Sequence, residues 1–243
     1  MTEFEDEAFV LSARAHGETG AIVHVLTEHH GVHAAHISGG ASRRMKATLQ
    51  PGGGVLFRYR ARHADQLGQA TLEPTGATPD LLDDPLGLTG LQCACVMTRA
   101  VLPEREPHPG AYLALSALMN ALVLPEIWPA IYVRYEAGLL EELGFGLDLS
   151  ACAVSGTRDD LVYVSPKSAR AVSRAAGEPY HDKLLALPPF LLSSQGGLNP
   201  GDVEAGLILT GFFLERHVFH PRDKPLPDVR NRLTEALRAA SIL

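Results

Sequence analysis

Residues 55–62 read Val-Leu-Phe-Arg-Tyr-Arg-Ala-Arg, a run in which basic residues come to alternate with apolar or aromatic ones. Side chains along a β-strand point alternately to its two faces. The run therefore predicts a strand with Arg58, Arg60 and Arg62 on one face and packed side chains on the other. A row of positive charge backed by a packed face suits a surface that follows a phosphate backbone.

This strand lies in a stretch without acidic residues, which runs from Glu28 to Asp65. A second basic cluster precedes the strand in a loop flanked by glycines, and it consists of Arg43, Arg44 and Lys46. The whole chain carries a formal net charge of −7, so any role with nucleic acid must depend on this local patch. The alternative is that the arginines only solvate a strand and discourage edge-to-edge pairing. Spacing alone does not choose between them.

Short apolar segments separated by turn residues surround the basic strand. Strands are predicted at Glu7–Ala15, Ala21–Thr27, Val32–Ser38, Val55–His63 and Leu67–Glu73. Five strands are too few for a seven-stranded sandwich, and they predict a small Greek-key barrel of the OB type. Phe57 and Tyr59 then belong to the barrel core rather than to a base-stacking surface.

Beyond Gly76 the apolar periodicity becomes that of helices. Helices are predicted from Asp80 or Thr89 toward Leu102, over Ala111–Leu124, over Pro125–Leu143, from Pro200 to about His217, and over Pro227–Leu243. The fold class is therefore α+β, with an N-terminal five-stranded OB-fold β-barrel over residues 1–78. A mainly α-helical C-terminal domain follows over residues 79–243.

Composition excludes several classes of protein. The chain has 243 residues, of which 46% are hydrophobic and 20% charged, as in ordinary globular proteins. No apolar run approaches the ~20 residues that span a bilayer. The first residues are acidic, which is the wrong sign for a signal peptide. Only Cys93, Cys95 and Cys152 occur, too few for a disulfide framework. These features predict a cytoplasmic protein.

Motifs of catalysis are absent from the sequence. It has no P-loop, no Gly-x-Ser-x-Gly elbow and no His-Glu-x-x-His helix. Histidines cluster in residues 29–36, but His33 and His36 would point to opposite faces of a strand. A solvated hairpin is therefore favoured there over a metal site. Cys93 and Cys95 fit small core residues of a helix. We expect no enzymatic activity.

Residues 134–156 read Arg-Tyr-Glu-Ala-Gly-Leu-Leu-Glu-Glu-Leu-Gly-Phe-Gly-Leu-Asp-Leu-Ser-Ala-Cys-Ala-Val-Ser-Gly. They join a helix, a Glu-Leu-Gly-Phe turn and a Cys-x-x-x-Gly element. A Leu-Thr-Glu-x-x-Gly hairpin occupies residues 26–31, a first strand with a Gly-Glu turn residues 8–19, and a basic loop residues 40–50. In order and spacing these elements, together with residues 163–172, resemble the RecO family of bacterial recombination and repair mediators.

The resemblance implies binding to single- and double-stranded DNA and annealing of complementary strands. It implies RecR and the acidic C-terminal tail of single-strand binding protein (SSB) as partners, with RecA loaded indirectly, in a nucleoid-associated location. The expected DNA contacts are Arg43, Arg44, Lys46, Arg58, Arg60 and Arg62. Possible secondary contacts with DNA or a partner are Arg134, Lys167, Arg170 and Arg174.

Alternatives are open for the secondary contacts and for the function. For Arg134, a packed helix with its arginine reaching solvent is favoured over a contact. For the run from Lys167 to Arg174, a solvated turn is likewise favoured. The main alternative function is an OB-fold protein-interaction scaffold without direct DNA annealing. A small-molecule enzyme comes third.

Some members of the family fold a Cys-x-x-Cys…Cys-x-x-Cys zinc site. Here Cys152 aligns with the first ligand, Ser155 replaces the second, and the second pair is missing around residues 169–173. Structural zinc needs four ligands. No metal or other cofactor is therefore expected, and a degenerate finger-like insertion at about 150–175 must hold itself by packing.

Overall fold

The computed structural model describes residues 2–63, 66–76, 78–193 and 196–243. The chain divides into two compact units, Met1–Pro125 and Glu126–Leu243, which we call the barrel unit and the helical unit. The barrel unit extends past residue 78, the predicted domain boundary, because two helices that follow the barrel belong to it. In the described part of the chain, no helix is long and apolar enough to cross a membrane.

Five strands of the barrel unit close into a barrel in the order β1-β2-β3-β5-β4, which confirms the predicted OB-type fold. The strands are β1 (Thr2–His16), β2 (Gly20–Thr27), β3 (Gly31–Ile37), β4 (Gly54–Ala61) and β5 (Gly68–Pro74). The β3–β5 pair is parallel and the other pairs are antiparallel.

The alternation in β4 builds the barrel wall as the sequence predicts. Phe57 and Tyr59 are buried in the core, with 0% and 3% of their surface exposed, whereas Arg58 and Arg60 are exposed. The start of β1 was predicted at Glu7, and this is wrong, because the strand begins at Thr2. The acidic first residues of β1 do not have the apolar alternation expected of a strand, but the first half of β1 pairs with β4 along the whole length of β4.

The basic cluster before β4 lies on a short helix rather than in the predicted loop. Helix α1 spans Arg43–Thr48, and the Ser42 hydroxyl caps it by accepting a hydrogen bond from the Met45 amide at 3.3 Å. A serine at this position satisfies an amide that the first turn leaves without a partner.

Two helices complete the barrel unit, α2 (Pro85–Val101) and α3 (Pro109–Ala121). Helix α2 is capped by Asp84, and not by the predicted Asp80 or Thr89. Helix α3 packs Tyr112 against Phe9 of β1, with the two ring centroids 5.3 Å apart. Cys93 and Cys95 are buried in α2, as predicted.

The helical unit contains six helices and a small three-stranded sheet in the order β7-β6-β8 among the described residues. The strands are β6 (Leu161–Val164), β7 (Ala171–Ser173) and β8 (Leu185–Ala186). The helices are α4 (Trp128–Glu142), α5 (Arg174–Gly177), α6 (Pro189–Leu192), α7 (Asp202–Leu214), its π-helical continuation (Glu215–Phe219) and α8 (Asp228–Ala239). Short 3₁₀ turns occupy Glu178–Lys183 and His220–Arg222.

Candidate nucleic-acid interface

The three arginines of the basic strand are exposed, but their charges are not equally available. Arg58 forms ion pairs with Glu5 of β1 and with Glu73 of β5. Hydrogen bonds to Glu73 and Glu5 raise the pKa of the Arg58 guanidinium above its ordinary value. The same contact lowers the pKa of the Glu73 carboxyl. The sequence around Arg58 contains no acidic residue, but in the folded protein acidic side chains from β1 and β5 lie beside it.

Two other arginines of the predicted strand lack the acidic contacts that Arg58 makes. Arg60 faces Glu3 in the β1–β4 register, but no ion pair joins them. Arg62 follows the end of β4 and is exposed. Asp65, which ends the acid-free stretch of sequence, lies outside the described residues. Within residues 2–63, 66–76, 78–193 and 196–243, no ion pair involves Arg60 or Arg62.

Helix α1 adds three exposed cations, Arg43, Arg44 and Lys46, for which the described residues likewise provide no ion pair. One residue of this helix, Met45, lines a groove of about 670 Å³ beside the basic strand. Arg58 and Arg60 line the same groove, together with Glu3 and Glu5 of β1. The cations of α1 and Arg62 are not part of its lining. We call Arg43, Arg44, Lys46, Arg60 and Arg62 the open cation set.

His29 and His30 lie in the turn of the β2–β3 hairpin with solvent-exposed side chains, as predicted, and both also contact a buried carboxylate. Asp6 accepts hydrogen bonds from the His29 amide at 2.8 Å, from His29 Nδ1 at 3.0 Å and from His30 Nδ1 at 2.8 Å. Burial raises the pKa of the Asp6 carboxyl, but these hydrogen bonds outweigh burial and leave the pKa below its ordinary value. Asp6 and His29 are 23 positions apart in the sequence, so no local sequence pattern could have indicated this cluster.

The same cluster is the one group of potential metal ligands among the described residues. Asp6, Glu28 and His29 place one ligand atom each within 4.8 Å of one another. The hydrogen bonds between Asp6 and His29 already account for this geometry.

The four secondary basic residues lie in the helical unit, and two of them have acidic partners. Arg170 pairs with Asp148 at 3.0 Å, and Arg174 pairs with Asp160 at 3.2 Å. Lys167 is exposed in the turn between β6 and β7. These contacts agree with solvated turns that carry paired charge.

Arg134 is half-buried in α4, and its guanidinium donates to the carbonyl oxygen of Phe190. It lines a pocket of about 290 Å³ with Glu141 and three leucines, namely Leu147, Leu149 and Leu191. The pocket therefore combines one cation and one carboxylate with an apolar wall.

Cys152 lies at the centre of the finger-like segment and is 1% exposed. Its sulfur accepts hydrogen bonds from the Ser155 amide at 3.5 Å, the Ser173 amide at 3.2 Å and the Ser173 hydroxyl at 3.4 Å. Burial raises the pKa of the thiol, while these donors lower it, and the result is a pKa of about 6. Two backbone amides and one hydroxyl thus donate to the sulfur, and all three belong to two serines, Ser155 and Ser173.

Cys152→Ala should destabilise the helical unit more at about pH 9 than at about pH 5. A thiol whose pKa is lowered on folding adds stability above its unfolded pKa, and this stability is lost as the pH falls through about 6. Denaturation followed by the fluorescence of Trp128, the single tryptophan of the chain and a buried residue of this unit, measures the difference. Stoichiometric zinc in the purified protein would contradict a zinc-free role for this thiol.

Two family models match the chain. The family described as "Recombination protein O N terminal" matches residues 1–75, and "Recombination protein O C terminal" matches residues 82–226. The chain belongs to the RecO family. Its relatives are aligned over nearly their whole length, so the assignment covers both the barrel and the helices.

Three relatives illustrate the similarity of this RecO-family chain to curated proteins. DNA repair protein RecO of Caulobacter sp. (strain K31) is 64% identical, over 99% of this chain and 100% of the relative. The protein of the same name from Phenylobacterium zucineum is 63% identical, over 97% and 99%. That from Rhodospirillum centenum is 51% identical, over 98% and 96%. The chain is accordingly a DNA repair protein of the RecO family.

Proposed function

We propose that this RecO-family protein is a non-catalytic mediator that binds single- and double-stranded DNA and anneals complementary strands. The observation that carries the proposal is the open cation set of the OB-barrel unit, five exposed cations for which the described residues provide no ion pair, one of which, Arg60, lines a groove. OB barrels hold single strands in positively charged grooves. The proposed location is the cytoplasm, in association with the nucleoid.

Annealing follows from charge in this proposal. Two complementary strands repel each other through their phosphates, and a protein that neutralises phosphates on both strands lowers this repulsion. The cations of α1 and those of β4 stand on different elements of the barrel unit, so each element can hold one strand. The bases remain able to pair, because contact is mainly with phosphates.

Partner binding is assigned to the helical unit. The pocket beside Arg134 joins one cation and the Glu141 carboxylate to apolar side chains, and its cation and apolar wall suit the acidic and apolar C-terminal tail of SSB. Through this tail, and together with RecR, the protein would help to load RecA onto SSB-coated DNA. Trp128 and Tyr135, neighbours of Arg134 in sequence, are buried and do not extend this pocket.

A strand-annealing assay tests the proposal directly. The wild-type protein should accelerate pairing of complementary oligonucleotides, both bare and coated with SSB, and the acceleration should fall as salt rises. SSB lacking its C-terminal tail, used as the matched coat, should reduce the effect on coated DNA only. Acceleration of neither substrate would overturn the annealing role.

A protein-interaction scaffold is the second candidate, and the ion pairs of Arg58 with Glu5 and Glu73 favour it. These contacts remove one cation from the groove and give its wall a mixed charge. A scaffold predicts DNA binding that is absent or insensitive to salt, so the same titration separates the two functions.

A further inference from the structure

A small aromatic slot opens at the end of the barrel where β1 begins and β4 ends. It has a volume of about 230 Å³. Its lining is Thr2, Phe4, His30, His33, Tyr59, Arg105 and Pro107. Phe4 stacks on His30 with centroids 3.8 Å apart and 11° between the planes, and His33 meets Phe4 edge-on at 5.0 Å. Four rings therefore form most of the wall.

The floor of the slot is buried and its rim is exposed. Tyr59 and His33 are 3% and 6% exposed, whereas Thr2, Arg105 and Pro107 are exposed. The rim is held against the barrel by a hydrogen bond from the Arg105 amide to the Val32 carbonyl at 2.8 Å. Gly31 permits this approach, since it has a φ of +74° and a Cβ there would lie 1.8 Å from the carbonyl oxygen of Glu106.

One polar atom in the slot is unsatisfied. His33 Nδ1 is buried and has no hydrogen-bond partner among the described residues. Burial lowers the pKa of the His33 imidazole, so the ring is neutral near pH 7 and offers one N–H and one lone pair. Nδ1 itself has almost no accessible surface, so the slot offers a ligand mainly the π-surface of its rings.

His30 is fixed in the wall by the buried carboxylate. Asp6 accepts a hydrogen bond from His30 Nδ1 at 2.8 Å, which orients the ring that stacks on Phe4. The aromatic wall is therefore held in place before any ligand binds, and preorganisation lowers the cost of binding.

The slot adjoins the basic strand. Thr2 on its rim pairs with Ala61 in the β1–β4 register, immediately before Arg62. A nucleic-acid strand held by Arg60 and Arg62 would pass the mouth of the slot. The lining provides one cation, Arg105, and four rings, which favours a base over a phosphate as the occupant.

We propose that this slot is a subsite for a single unstacked nucleobase of a DNA strand bound along β4. The inference rests on the proposed DNA binding and deepens it. The phosphates hold the strand, and one base enters the slot to stack on its rings. Base–aromatic stacking is sequence-tolerant, so the subsite would fix the position of a strand without selecting its sequence.

Binding to two oligonucleotides of equal length tests the subsite, one of thymidine and one of abasic nucleotides with the same phosphates. Fluorescence anisotropy of the full-length wild-type protein should show at least about 5-fold tighter binding to thymidine, the fold-change expected for one stacked base. Phe4→Leu should bring this ratio toward one. The matched control is Phe145→Leu, because Phe145 also stacks on a histidine, His217, but belongs to the helical unit. It should leave the ratio intact.

Photo-crosslinking of wild-type protein to 5-iododeoxyuridine DNA provides a measurement that does not depend on a variant folding. Crosslinks mapped to Phe4, His30 or Tyr59 support the slot, and crosslinks confined to other residues overturn it. Equal wild-type affinity for thymidine and abasic DNA also overturns the slot, while salt-dependent binding to both would leave the phosphate-binding function intact. Absence of binding to either DNA defeats the proposed function itself.

Discussion

Arg230→Met should lower the free energy of unfolding of the helical unit by about 3–5 kcal/mol, the cost of leaving one partner of a buried ion pair uncompensated. Arg230 of α8 donates to Glu136 of α4 through Nε at 2.7 Å and Nη2 at 2.9 Å. Glu136 has no exposed surface and Arg230 is 6% exposed. Removing the guanidinium therefore strands a buried carboxylate.

Two further hydroxyls make the carboxylate the centre of a network. Tyr132 donates to Glu136 Oε1 at 2.9 Å, and Thr210 of α7 donates to Glu136 Oε2 at 2.5 Å. Arg230 also donates to the Leu207 carbonyl at 2.6 Å. Three helices, α4, α7 and α8, thus meet at one buried charge pair, and the loss of one member is felt by all of them.

The fluorescence of Trp128 during chemical denaturation reports this unit, because the residue is buried within α4. Arg238→Met is the matched control, since Arg238 also lies on α8 but pairs with Glu204 at an exposed site. It should cost no more than about 1 kcal/mol. The double variant Glu136→Leu with Arg230→Met should be less destabilised than either single variant, because no buried charge is left alone. Equal losses for Arg230→Met and Arg238→Met would contradict a buried, coupled pair.

Local patterns predicted those parts of the fold that depend on neighbours in sequence. The alternation in β4 placed Arg58 and Arg60 outside and Phe57 and Tyr59 inside, because a pleated strand enforces this period. Apolar segments between turn residues predicted the barrel for the same reason. The hydroxyl of Ser42 could have indicated α1, since serine commonly precedes a first helical turn.

Contacts between distant residues were out of reach of the same patterns. Glu5 neutralises Arg58 across 53 positions, Asp6 holds His30 across 24, and Glu136 meets Arg230 across 94. Such pairs depend on strand register and helix packing rather than on local spacing. These long-range contacts matter most for the basic strand, because the acidic residues beside it come from β1 and β5 and not from residues close to it in sequence.

Replacing the open cation set by alanine should weaken DNA binding irrespective of base sequence, and it should flatten its dependence on salt. Each lost phosphate contact on single-stranded DNA lowers the slope of log K against log salt by roughly 0.7. If all five residues contact phosphates, the slope should therefore fall by about 3.5. Equilibrium titrations of the full-length protein at several salt concentrations measure it. The five side chains are exposed, so the variant should keep the wild-type free energy of unfolding.

Arg58 provides the internal comparison, because it is exposed on the same strand but already paired with Glu5 and Glu73. Arg58→Ala should change the slope less than Arg60→Ala does. Glu5→Gln combined with Glu73→Gln should release the Arg58 charge, raise the affinity for DNA and steepen the slope by roughly one contact. If Arg58→Ala were as damaging as Arg60→Ala, the ion pairs would have to open when DNA binds. If Arg58→Ala, Arg60→Ala and the alanine variant of the open cation set all left the slope unchanged, the basic strand would not be the DNA surface.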